Sequence, residues 1–188
     1  MSAASTDRIA DALVRIDAAN AERPEEVEYG RRMSAWLDRL VPEASEPLRI
    51  AVRAQHVRRW EIPRDSYPRT RAGYLAWRTS LHKFHAETAG RILGEAGFDE
   101  PTVARVGALL RKERLRTDAE AQALEDCACL VFLEHHLADF APSHDAEKVV
   151  GIIRKTWKKM SDPARAAALA LDLPPPARAL VERALSGA

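Results

Sequence analysis

The chain has 188 residues, of which 46% are hydrophobic and 30% charged, and its formal net charge is +1. That balance excludes a disordered chain, and it excludes a whole-molecule field that would draw the protein to nucleic acid or a membrane surface. Any anion site must come from a local patch, and the length predicts one core, a single domain over residues 1–188.

Apolar residues recur at three- and four-residue steps along almost the whole chain, and nothing alternates at two, so the fold class expected is all-α. Ser5 or Thr6 is placed to cap a first helix carrying Ile9, Leu13 and Ile16. Pro24 starts a second with Tyr29, Met33, Trp36, Leu37 and Leu40 inward, stopped by Pro42. Ser45 caps a third, with the stripe Leu48, Val52, His56 and Trp60, ending before Pro63. Ile62 to Thr70 is a loop, and a long helix follows to about Ala96, with Tyr74, Leu81, His85, Thr88 and Ile92 along one side and Gly97 at its end. Asp99 caps the next. Thr117 or Asp118 opens an apolar helix running through Leu124 and Leu130 to Leu137, which Pro142 breaks. Ser143 caps a helix through Ile153 and Trp157, Ser161 caps an alanine-rich one, and Pro174-Pro175-Pro176 precedes the last. About nine helices are expected.

Polar chemistry concentrates between Arg49 and Glu87. Up to position 83, Arg49, Arg53, Arg58, Arg59, Arg64, Arg69, Arg71, Arg78 and Lys83 are opposed only by Glu61 and Asp65. Guanidinium groups present planar forks of donors that fit phosphate or carboxylate, so this stretch is a candidate anion site. Trp60, Tyr74 and Trp77 offer faces on which a base would stack, although aromatics at helical spacing are more often core. No glycine-rich phosphate loop and no nucleophile elbow is present.

His56, His85 and Asp126 fall on stripes expected to be buried. A buried carboxylate needs a cation, a donor network or a metal, and a neutral imidazole is a common metal ligand, so the three together suit a divalent ion. The alternative is plain: each histidine a hydrogen-bonded core residue, and Asp126 paired with an arginine. Glu125 shares Asp126's neighbourhood. His135-His136 and His144-Asp145 are read as structural, and so is the basic run after Ile153. Cys127 and Cys129 point to different sides of a helix, which argues against a disulfide and suits a reducing cytoplasm. The N-terminal residues show no signal pattern and no apolar run reaches membrane-spanning length, so a cytoplasmic protein is expected.

The segments YGRRMSAWL (29–37), RAQHVRRWEIPR (53–64), RAGYLAWRTSLHKFHAE (71–87), GFDEPTVARV (97–106), LEDCACLVFLE (124–134) and IIRKTWKKMS (152–161) resemble an uncharacterised family of bacteria and fungi, known only as a domain of unknown function. The order of segments is also distantly similar to the HD-domain metal-dependent phosphohydrolases. In that likeness Gln55-His56 stands at the His-Asp pair, His85-Ala86-Glu87 at a later His-containing helix, and Asp126 at the final aspartate. The sequence departs from the pattern: Gln55 replaces His, His56 replaces Asp, and no histidine stands near Tyr29 or Arg31.

The resemblance implies an HD-like helical bundle and a phosphohydrolase acting on a small phosphorylated ligand, a nucleotide among the candidates. His56, His85 and Asp126 would hold a divalent metal, Glu87 would join them in catalysis, and Arg53, Gln55, Arg58, Arg59, Arg64, Arg78 and Lys83 would bind the ligand. The alternatives are a non-catalytic module recognising a nucleotide, an RNA end or another anion, and a scaffold whose arginines pair internally. A rearranged metal site, a metal-free phosphate site and a lost activity all remain open.

Overall fold

The computed structural model describes residues 3–186, with the side chains of residues 3–6 outside the description and the expected Ser5 or Thr6 cap with them. Every regular element among the described residues is helical. Tertiary contacts divide the chain into two compact units, Met1–Ala121 and Gln122–Ala188, where length alone suggests one.

In the first unit, α3 (Glu46–Ala54) packs against α1 (Ala3–Ala19), α2 (Pro24–Leu40), α4 (Arg71–Glu95) and α5 (Glu100–Leu110). Nine residues are too few for a helix stable in water, so its neighbours must hold it. Ile50, Ala51, Val52 and Ala54 are all fully buried, and each large aliphatic side chain buried this way contributes about 1.5–3 kcal/mol. Ser45 starts the helix as expected, its hydroxyl accepting from the Leu48 amide at 3.2 Å. Gly30 admits α3 to α2, because a Cβ there would stand 3.0 Å from both the carbonyl oxygen and Cδ of Arg53.

The sequence stripe carries α3 on to Trp60, but the helix ends at Ala54. Arg58 is left-handed (φ 51°), and its amide donates to the side-chain oxygen of Asn20 rather than continuing the helical ladder. Residues Arg59–Glu61 then form a single 3-10 turn. His56 and Trp60 therefore belong to a tight turn and not to a helix face.

The Ile62–Thr70 loop is seated on the start of α4. Arg64 donates to the carbonyls of Tyr67 and Pro68, both at 2.9 Å, and the Trp77 indole donates to that of Ile62 at 2.9 Å. At Gly73 a Cβ would come within 2.2 Å of the Pro68 carbonyl oxygen, so no other residue fits beneath the loop. Trp77, Leu81, His85 and Thr88 are buried along α4, whereas Tyr74, expected inward, is 43% exposed.

Asp118 rather than Thr117 opens α6 (Ala119–Val131), accepting from the amides of Glu120 and Ala121. In the second unit a π-helical turn, Phe132–His136, interrupts the expected run to Leu137, and α7 is the short Leu137–Phe140. Next come α8 (Ala146–Trp157), α9 (Asp162–Leu169) and α10 (Pro175–Leu185), with α10 packed on α8. Asp145, not Ser143, caps α8: its carboxylate accepts from the amides of Glu147 and Lys148, and the Ser143 hydroxyl donates to the Phe140 carbonyl. Leu130, Leu133, Leu137, Val150 and Ile153 are buried in this unit. Cys127 and Cys129 are buried free thiols. No helix among the described residues is long and apolar enough to cross a membrane.

Candidate functional site

The polar centre of the first unit is assembled from α2, the turn after α3, and α4. His56 lies at its middle. Its ring stacks on Tyr29 of α2, with centroids 3.8 Å apart and planes within 7°. Nδ1 meets a Glu26 carboxylate oxygen at 3.0 Å, and Nε2 meets an Arg59 guanidinium nitrogen at 2.8 Å. Arginine only donates, so Nε2 is the acceptor, and Nδ1 carries the proton that Glu26 receives. In the neutral ring this pairing fixes one tautomer.

Arg59 lies over the face of Trp77, its guanidinium carbon 5.0 Å from the ring centroid. It enters no ion pair among the described residues. Burial holds its pKa below the ordinary guanidinium value; Glu26 offsets part of that, and Arg78 adds to it. Arg78, half-buried on α4, donates to the Tyr74 hydroxyl at 3.4 Å.

His85 completes the centre. It is 3% exposed, its ring centroid lies 6.2 Å from that of His56, and its Nε2 is buried without a hydrogen-bond partner among the described residues. Burial pushes its pKa down to about 2, helped by His56, Arg59, His82 and Arg78. It is therefore a neutral ring among cationic and potentially cationic groups.

The remaining expected residues go elsewhere. Arg64 is committed to the carbonyls of its own loop, and Arg58 pairs with Glu61. Arg53 stands 3.5 Å from Asp17, and burial lowers its pKa. Gln55 is half-buried, with its Oε1 unpartnered among the described residues. Lys83 and Glu87 are exposed on α4 and turn about 160° away from His85 at 100° per residue, so they do not join it.

Asp126 belongs to the second unit and is 4% exposed. One oxygen accepts from the Ser161 amide and the Gln122 side-chain nitrogen, both at 2.9 Å; the other accepts from the Ser161 hydroxyl at 2.6 Å. All three donors lie in its own unit, and they fix the start of α9. Beside it the buried Glu125 pairs with Lys159 at 3.2 Å.

The expected metal set does not fit this geometry. A cationic guanidinium stands on the His56 nitrogen that a metal would need, and both Asp126 oxygens already hold donors. Among the described residues no three His, Cys, Asp or Glu side chains gather so as to hold a metal ion.

Sequence reasoning missed Glu26 and Asn20. Glu26 reads as an ordinary acidic residue in a helix's first turn, and only its position three before Tyr29 hints that the two share a face. Asn20 carries no signal, because its role depends on a turn distant in sequence.

The chain matches the model of the domain of unknown function DUF4202 over residues 7–181, and it belongs to that family. No curated protein and no solved structure matches it.

Proposed function

We propose that this member of the family binds the phosphate of a small phosphorylated ligand, a nucleotide among the candidates, at the centre formed by Arg59, Arg78, His56 and His85. The single observation that carries this reading is Arg59: a partly buried guanidinium in no ion pair among the described residues, giving a donor to the His56 Nε2 acceptor while Arg78 acts on it unfavourably. A buried cation without a contacting carboxylate is costly, and a phosphate placed between the two arginines offsets that cost for both. The unpartnered His85 Nε2 supports the same ligand class, since as an N–H it would donate to a phosphate oxygen.

One observation favours hydrolysis over binding alone. Glu26 holds His56 in the tautomer whose Nε2 is a base, the arrangement that general-base catalysis uses. When a phosphate draws Arg59 away from Nε2, that nitrogen is released to take a proton from a water attacking phosphorus; the ester P–O bond breaks, and the leaving oxygen takes a proton from the imidazolium or from solvent. A metal-dependent reaction of HD-like type is the form of this chemistry that the resemblance implies, and the His56, His85 and Asp126 geometry does not support it.

The test is a titration with inorganic phosphate and with a nucleoside monophosphate, followed by NMR, on the native chain and on Arg59→Ala. The expected result is saturable binding that weakens with salt and falls at least tenfold in the variant. Equal binding by both chains, or none by either, overturns the proposal. Release of inorganic phosphate from a panel of monophosphate esters, lost in His56→Ala, separates the hydrolase from the binder.

A further inference from the structure

Arg58 and Arg59 are neighbours in sequence with different tasks. Arg59 touches His56. Arg58 supplies the bend that lets it do so, at φ 51° in the left-handed region. An ordinary L-residue there loses about fivefold to thirtyfold in population, the equivalent of about 1–2 kcal/mol, and such strain persists only where the surroundings enforce it.

The enforcing group is identifiable. The Arg58 amide donates to Oδ1 of Asn20 at 2.8 Å, and Asn20, 2% exposed, is itself anchored. Its backbone amide donates to the Asp17 carbonyl at 3.0 Å, and its carbonyl accepts from the Arg23 amide at 2.9 Å, so the turn between α1 and α2 fixes it. Beyond Arg58 the chain folds back: the Arg59 amide donates to the His56 carbonyl at 3.1 Å while its guanidinium meets His56 Nε2. The acceptor that a continued helix would offer the Arg58 amide, the Ala54 carbonyl, takes the Val57 amide instead, at 2.9 Å.

We infer that Asn20 is a positioning residue: its side-chain oxygen holds Arg58 left-handed and so aims Arg59 at Nε2 of His56. Among the described residues it makes no hydrogen bond to the imidazole, and it acts through Arg58. The consequence for affinity rests on the phosphate reading; the aim of Arg59 does not.

Two variants of the full chain test this, Asn20→Ala and the double variant Asn20→Ala/Arg58→Gly. Glycine adopts the left-handed conformation without strain, so the second change replaces what the first removes. The first readout needs no ligand: the 15N resonance of His56 Nε2, which reports the hydrogen bond from Arg59. It shifts in Asn20→Ala and returns in the double variant. The second readout is inorganic phosphate affinity, which falls about fivefold to thirtyfold in Asn20→Ala, because only the fraction of molecules with the turn formed binds, and recovers to within about threefold in the double variant. If Asn20→Ala is too unstable to purify, Asn20→Ser reads the same quantities, since its shorter side chain withdraws the acceptor.

An unchanged Nε2 resonance in Asn20→Ala overturns the inference, and so does a double variant that stays as perturbed as the single one. If the resonance behaves as stated but the native chain binds no phosphate, the proposed function fails and the positioning role stands.

Discussion

Both units place polar side chains against their cores, and they treat them in opposite ways. Around Asp126 every carboxylate oxygen is claimed: three donors from Gln122 and Ser161 converge on two oxygens, and the result is a fixed start for α9. Around His56 the accounts stay open. Among the described residues Arg59 is in no ion pair and His85 Nε2 has no partner, and Arg58 is bent into a strained conformation. A closed network specifies structure, and an open one carrying charge is where a ligand would complete the set. Burial of a polar residue does not separate the two cases; satisfaction does.

The largest effect expected from this contrast is on stability in the closed network. Asp126→Ala strands the Ser161 amide and hydroxyl, while Gln122 keeps the Lys159 carbonyl, and should destabilise by about 3 kcal/mol, read from urea unfolding. If Asp126 were instead a ligand-binding group held at a cost, the variant would be as stable as the native chain, and the contrast would collapse.

His85 gives the next largest effect, through pH. Its folded pKa is about 2 against about 6.5 unfolded, so below pH 6.5 the unfolded chain takes up a proton that the folded one refuses. Stability is therefore complete above pH 6.5 and falls by about 1.4 kcal/mol per unit as pH drops toward 2. Asp118, held near 2 chiefly by its hydrogen bonds from Arg105, loses its contribution only as pH falls below about 4. Between pH 6.5 and 4.5 the difference in unfolding between the native chain and His85→Gln reads the His85 contribution, and the variant should show the flatter slope.

In the open centre, Arg59→Ala should leave stability within about 1 kcal/mol of native while weakening phosphate binding about tenfold to a hundredfold. A large loss of stability would instead mark Arg59 as a structural cation. The smallest effect belongs to Lys83. It is exposed and turned away from His85, so Lys83→Ala should change affinity less than twofold at physiological salt.

Much of the fold was legible because helix signals are local. Pro24, Ser45, Thr70, Asp99 and Ser161 each mark a helix start that the structure keeps, and the all-helical class follows from one repeated spacing. The misreadings share a cause. The stripe through His56 to Trp60 ignores a hydrogen bond between residues 20 and 58, and the run to Leu137 ignores a π-helical turn; neither leaves a mark in a window of a few residues. The site was legible in part. Periodicity picks out His56 and His85 as inward-facing, and composition picks out the arginines, but which arginine turns inward depends on a backbone reversal. Arg59 does, Arg58 and Arg64 are spent on local contacts, and the residues that orient the centre, Glu26 and Asn20, lie outside the conspicuous stretch.

The contact at Gly73 extends beyond packing. With Pro68's carbonyl 2.2 Å from where a Cβ would stand, the loop and the first turn of α4 can vary only together. Arg64 grips that loop, and Trp77, the platform beneath Arg59, is tied to it through Ile62. A graft that exchanges the loop without the helix, or the helix without the loop, will therefore tilt the platform, and the two must be inherited, or transplanted, as one piece.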